Sequence, residues 1–261
     1  MRPVAVIPAR YESSRFPGKP LADLDGRPMI EHVYRRAAAA PSVGAVVVAT
    51  DDRRVAQAVE AFGGIAWMTD PGHRSGSDRL AEVAADLTSP IVINVQGDEP
   101  LIEPAMIEEA LAPLAADASL VMTTLRRRVV DPADWADPNV VKVVVDREGF
   151  ALYFSRAPLP SIRQAAEPEP AALGLEALGA VPHDAGPWKH IGLYVFRRAF
   201  LLRLASLPPA PLEQAESLEQ LRALEHGYRI RTVETAWDSI GVDTPADLDR
   251  VRRQLAAGKH G

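Results

Sequence analysis

Apolar residues fall into two rhythms in the first half of the chain. Unbroken apolar runs at residues 4–7, 45–49 and 91–95 read as short buried strands, and the run at 65–68 as a weaker one. Between them, apolar residues recur three and four apart, as one helix face requires. These are Met29, Val33 and Ala37, then Val55, Val59 and Phe62, then Leu80, Val83, Ala84 and Leu87. A fourth face carries Met106, Ile107, Ala110, Leu111 and Leu114. Boundary signals agree with this division. Pro28 and Pro104 stand at first helical turns, Thr50-Asp51-Asp52 can cap the second helix, and Gly63-Gly64 ends it. The alternation predicts an α/β fold with a doubly wound, mostly parallel sheet.

The rhythm changes after residue 120. Short β-like runs at 120–125, 140–145 and 150–154 follow with no long helix between them, which predicts small antiparallel additions. Residues 158–187 hold six prolines and little periodicity. They read as a long loop, with one short helix near 171–178. A strand is expected at 190–196, a helix at 212–224, a strand at 229–233, and a last helix capped by Thr244 with Pro245 in its first turn. The charged residues of the 212–224 helix, Glu213, Glu216, Glu219 and Arg222, suit a subunit interface and a solvated face equally. The organisation expected is one domain over 1–261, with a β-rich part at about 120–230.

The 261 residues are 47% hydrophobic, enough for a substantial core. Net charge is -6, with 35 acidic against 29 basic residues, which argues against a polyanion binder; no nucleic-acid motif is present. No apolar run is long enough for a bilayer, and the first strand is too short for a signal peptide. Cysteine is absent, so no disulfide, thiolate metal site or cysteine nucleophile is available. A soluble cytoplasmic protein without membrane partners is expected.

Against that acidic background, Arg10, Arg15 and Lys19 stand together in the turn-rich loop after the first strand. Singly each is an ordinary surface cation. Three cations at the carboxyl end of a buried first strand suit a nucleoside triphosphate, because guanidinium and ammonium groups hold its oxygens and stabilise departing pyrophosphate. The loop has neither the Walker spacing nor the glycine fingerprint of dinucleotide sites, which disfavours an NAD-linked oxidoreductase. Asp98 ends the strand at 91–95, where a carboxylate suits Mg²⁺ and an ordinary turn is equally at home. Asp243 precedes the last helix and is equally placed to cap it.

The segments 8–21, Ser75-Gly76-Ser77-Asp78-Arg79, Asn94-Val95-Gln96-Gly97-Asp98-Glu99-Pro100, 151–156 and Gly241-Val242-Asp243-Thr244-Pro245 resemble, in order and nearly end to end, the 3-deoxy-manno-octulosonate (KDO) cytidylyltransferases. The resemblance implies a nucleotide-diphospho-sugar transferase-like fold. It also implies transfer of CMP from CTP to the 2-hydroxyl of KDO, with Mg²⁺, in a cytoplasmic homodimer that supplies lipopolysaccharide synthesis. On matching positions it assigns Arg10, Arg15 and Lys19 to the triphosphate, and Arg74 and Ser75 to the cytosine or ribose. Asp98 and Asp243 fall to the metal, and Gln96, Arg156, His190, Tyr194, Glu219 and Gln220 to the sugar acid. His190 is expected to bond the sugar rather than act as a base. The stretch 158–187 departs from the family in length and in its proline and alanine content. A related acceptor, such as 8-amino-KDO or a sialic acid, and a non-catalytic nucleotide sensor stay open.

Overall fold

The computed structural model describes residues 1–12, 15–73, 75–161 and 183–258. In chain order the elements are β1 (Val4–Pro8), a 3-10 turn (Lys19–Leu21), the ribbon β2 (Asp23–Leu24) and β3 (Arg27–Pro28), α1 (Met29–Ala38), β4 (Ala45–Thr50), α2 (Arg53–Ala61), β5 (Ile65–Met68), α3 (Gly76–Asp86), β6 (Ile91–Asn94) and α4 (Pro104–Ala116). There follow β7 (Met122–Arg128), α5 (Pro132–Ala136), β8 (Lys142–Val145), β9 (Ala151–Ser155), β10 (Trp188–Arg197), α6 (Arg198–Ser206), α7 (Pro211–Glu216), α8 (Gln220–Glu225), β11 (Arg231–Glu234) and α9 (Pro245–Gly258). The chain divides into two units. One holds Met1–Glu108, Leu193–Ala205 and the residues from Asp238 onward; the other holds Glu109–Gly192 and Ser206–Trp237.

In the first unit β1 lies between β4 and β6, parallel to both, and β5 is parallel beyond β4. The later part of β10 runs antiparallel to β6, with Tyr194 opposite Asn94. Ala5, Val6, Ile7, Val48, Val92 and Ile93 are wholly buried, which explains why these strands read as continuous apolar runs. The chain winds from β1 to β4 and β5, then returns to β6 on the other side of β1. That reversal opens a crevice beyond the carboxyl ends of β1 and β6, where doubly wound sheets bind ligands. The loops bearing Arg10 to Lys19 and Gln96 to Asp98 leave from those two ends.

A separate apolar cluster ties three distant segments together. Leu24 and Met29 pack with Val242, Leu248 and Val251, and Phe16 leans against them. The inward face of α9 is the one expected from Leu248 and Val251.

In the second unit β7 and β11 are parallel, β8 and β9 form an antiparallel pair, and the first residues of β10 run antiparallel to β8. The antiparallel additions are therefore present. The expected helix at 212–224 is instead two helices, α7 and α8, broken at Ser217, which takes a left-handed conformation with φ 53. The first of them buries only Glu213 and leaves Leu212 41% exposed, so the apolar spacing across 212–224 imitates a single helix face that the fold does not form. The charged row is not a solvated face. Glu213 and Arg222 are buried and pair bidentately at 2.6 and 2.8 Å. Glu216 accepts from Ser155 Oγ at 2.6 Å and from the Arg156 N–H at 3.0 Å.

Helix α6 was not expected. It starts at Arg198, immediately after β10, with no turn residue to announce it, and buries only Phe200, Leu201 and Leu204. The helix expected at 171–178 falls outside the described residues. Among those residues no helix is long and apolar enough to cross a membrane.

Candidate active site

Lys19 reaches the crevice because the loop before it is folded back on itself. Gly18 takes a left-handed conformation with φ 73, open to glycine at no steric cost. Its N–H donates to Tyr11 O at 2.8 Å, and a Cβ there would come within 3.2 Å of the Tyr11 ring. The chain then enters the 3-10 turn, with Lys19 first and Pro20 buried.

Asp98 is placed by a close backbone approach. A Cβ on Gly97 would lie 2.7 Å from Pro8 O, so the loop after β6 can press against the end of β1 only with glycine there. Asp98 O in turn accepts from Val242 N–H at 2.8 Å, and Val242 is wholly buried in the apolar cluster. This fixes the segment that carries Asp243.

The cap of α9 leaves the Asp243 carboxylate available. Thr244 and Asp247 cap the helix reciprocally. Asp247 Oδ2 accepts from the Thr244 N–H at 2.8 Å, and Thr244 Oγ1 accepts from the Asp247 N–H at 3.3 Å. Burial raises the Asp247 carboxyl pKa, but bonds from the Thr244 hydroxyl and backbone outweigh it and hold the group below its ordinary value.

The three segments converge on one ammonium. Lys19 Nζ lies 2.7 Å from Asp98 Oδ2 and 3.3 Å from Asp243 Oδ1, and Arg15 Nη2 lies 2.9 Å from Asp243 Oδ2. The Lys19 side chain is 13% exposed, whereas the Arg15 side chain is 55% exposed. Ion pairs this open contribute little stability by themselves. Their value is chemical: cations for a polyphosphate beside carboxylates for a divalent ion. Among the described residues no group of three or more His, Asp or Glu side chains could cage a metal. Two carboxylates on one small cation nevertheless fit Mg²⁺, which takes one or two from a protein and completes its shell with phosphate oxygens and water.

The other expected site residues are distributed as follows. Arg10 is exposed at the start of the same loop, and Gln96 is half-buried beside Gly97. Ser75 is the N-cap of α3 and accepts from the Asp78 N–H at 3.1 Å; Arg74 lies outside the described residues. Tyr194 is half-buried and stacks on Phe196 with ring centroids 5.9 Å apart.

In the second unit the Arg156 guanidinium is spent on main-chain carbonyls. It donates to Glu216 O at 2.8 Å, Pro138 O at 3.1 Å and Ser217 O at 3.4 Å. Its evident work is to hold the end of α7. Glu219 is half-buried just before α8, and Gln220 is buried in the first turn.

His190 Nε2 is 2.9 Å from Thr124 Oγ1, and its ring meets Phe154 edge-on at 4.9 Å. Burial pushes the imidazole down to about 3, so it is neutral at working pH, as a hydrogen-bond partner should be. Its ordinary value is 6.5, so below that pH the unfolded chain binds the extra proton. Stability should therefore fall as pH drops from 6.5 toward 3. Urea melts at pH 7 and pH 5 check this: His190→Gln should lose less stability across that interval than the parent.

Arg79 was overlooked as a chemical residue. It is 1% exposed, pairs with Asp51 Oδ2 at 2.6 Å and bonds Thr69 Oγ1, tying α3 to the ends of β4 and β5. The available signal was an arginine beside Leu80 at the start of the inward face of a helix.

Residues 4–230 match the family model described as cytidylyltransferase. A 3-deoxy-manno-octulosonate cytidylyltransferase from Geobacter metallireducens is 58% identical over 256 residues, covering 98% of each chain. The chain belongs to the 3-deoxy-manno-octulosonate cytidylyltransferase family. A second member of that family, from Geotalea uraniireducens, is 57% identical over 255 residues, covering 98% of this chain and 99% of its own. The solved structure of a CMP:2-keto-3-deoxy-manno-octonic acid synthetase complexed with CTP superposes with a TM-score of 0.88 at 47% identity, covering 99% of this chain and 100% of that one. The family likeness thus extends across the whole fold.

Proposed function

We propose that the protein transfers CMP from CTP to the 2-hydroxyl of KDO, forming CMP-KDO and pyrophosphate, as a cytoplasmic homodimer serving lipopolysaccharide synthesis. Likeness over nearly the full length, at 57–58% identity, to 3-deoxy-manno-octulosonate cytidylyltransferases supports the substrates, as does the CTP-bound synthetase of the same fold. The observation that carries the chemistry is Lys19 Nζ between Asp98 and Asp243 at the crevice of the sheet.

Donor and acceptor are both anions and repel, so the reaction needs positioning and charge neutralisation more than covalent help. Arg10, Arg15 and Lys19 hold the triphosphate and stabilise pyrophosphate as the bond from the α-phosphorus to its β-bridging oxygen breaks. The acceptor oxygen attacks in line and its proton passes to solvent. Asp98 and Asp243 would hold Mg²⁺, which when bound neutralises phosphate charge and lowers the pKa of a coordinated hydroxyl. Ser75 and Arg74 are assigned to the nucleoside. Gln96, Arg156, His190, Tyr194, Glu219 and Gln220 are assigned to the sugar acid by family likeness. Arg156 would act there through the backbone it holds. The β-rich part at about 120–230 is assigned to acceptor binding and dimerisation.

CTP, Mg²⁺ and a panel of KDO, 8-amino-KDO and a sialic acid, followed by pyrophosphate release, test this. Release is expected with KDO. Release with another acid alone would overturn the acceptor, and tight CTP binding without release from any acid would favour a sensor.

A further inference from the structure

The loop that delivers Lys19 is braced from outside by a stack that the proposed chemistry does not use. Arg54, in the first turn of α2, lies over the Tyr11 ring with Cζ 3.4 Å from the centroid. Asp52 holds that guanidinium from below. Its Oδ1 accepts from Arg54 Nε at 3.0 Å, and its Oδ2 from Nη2 at 2.6 Å. Asp52 Oδ1 also accepts from the Arg54 N–H at 2.8 Å and so caps α2, which sets the direction from which Arg54 leaves the helix. The bidentate bond draws the Asp52 carboxyl below its ordinary value and raises the guanidinium above its own.

Tyr11 is where this stack meets the loop. Its carbonyl accepts from the Gly18 N–H at 2.8 Å, and its ring fills the space a side chain at Gly18 would need. Gly18 opens the turn that presents Lys19 to Asp98 and Asp243. Asp52 and Arg54 are thus linked to the Lys19 ammonium through one aromatic ring. Arg54 is 57% exposed in its side chain, so a fold-stabilising role explains it poorly.

Taking the loop as the nucleotide site proposed above, we infer that Asp52, Arg54 and Tyr11 form a positioning strut that sets the phosphate loop for CTP. Arg54 acts through the Tyr11 ring rather than by touching the nucleotide. A cation over an aromatic face at an exposed site carries an effect of about twofold to fivefold on binding.

The test uses the full chain and two readouts. In calorimetric titration with CTP and Mg²⁺, Arg54→Ala should weaken CTP by about threefold to fivefold. In turnover assays kcat and the KM for KDO should stay within about twofold. Arg54→Lys, which keeps a cation over the ring, should recover most of the CTP affinity. Tyr11→Leu should itself weaken CTP, and adding Arg54→Ala to it should cost nothing further. Unchanged CTP affinity in Arg54→Ala, or losses that multiply in the double variant, would overturn the strut; multiplying losses would mean that Arg54 meets the nucleotide directly. Hydrogen exchange without nucleotide is the second readout. The Gly18 amide should exchange faster in Arg54→Ala, and an unchanged rate would count against the strut. Should the parent chain fail to bind CTP, the nucleotide assignment falls while the exchange result still decides whether Arg54 holds the loop.

Discussion

Asp98→Asn is expected to lower kcat by about a thousandfold while the protein stays folded. The substitution keeps shape and volume but removes one of two negative charges facing the Lys19 ammonium. An amide oxygen is a poor ligand for Mg²⁺ beside a carboxylate, and its NH₂ group points donors toward a cation. Losing several kcal/mol of transition-state charge stabilisation corresponds to that factor. The Asp98 side chain is 32% exposed and the tie to Val242 comes from its main-chain oxygen, so the loop should keep its path. Steady-state kinetics with saturating Mg²⁺, beside a melting curve, measure both halves of the expectation. Near-parental turnover would remove Asp98 from the metal pair.

Lys19→Met should have the second-largest effect, lowering kcat/KM for CTP by about a hundredfold or more. Methionine matches the length of the stem but leaves Asp98 and Asp243 without the ammonium that touches both. The triphosphate then meets two carboxylates with less positive charge between them. The free protein should in turn bind Mg²⁺ more tightly, because Lys19 no longer competes for the same oxygens. Lys19→Arg should rescue only partly, since a planar fork cannot reproduce a compact point charge between two acids. Kinetics varied in CTP and a Mg²⁺ titration of the free protein give the two numbers. Unchanged kcat/KM would place the triphosphate elsewhere.

Much of the first unit was readable in the chain because β1, β4 and β6 are buried on both faces and its helices on one; β5 is the exception, with Ile65 51% exposed. Ile65–Met68 matches the expected bounds, α4 opens at Pro104 as expected, and Asp52 caps α2 as the Thr-Asp-Asp signal implied. The approach of Lys19 to two aspartates far along the chain followed from motif likeness; no local period encodes it. What escaped was set by tertiary contacts. The Glu213–Arg222 pair stabilises a fold-back at Ser217 that apolar spacing cannot reveal. The alternative of Asp243 as a helix cap failed because Thr244 and Asp247 already satisfy that end of α9. Arg156, expected at a sugar carboxylate, also donates to carbonyls from two other segments, and which carbonyls a guanidinium meets is a property of the folded chain.

The docking of α9 has a consequence for how activity fails under stress. Asp243 reaches Lys19 only while Leu248 and Val251 stay seated against Leu24 and Met29. That contact is small beside the sheet core, so partial detachment of the last helix demands less free energy than melting the strands. Mild heat or low urea should then silence the enzyme at a point where circular dichroism still sees an intact protein.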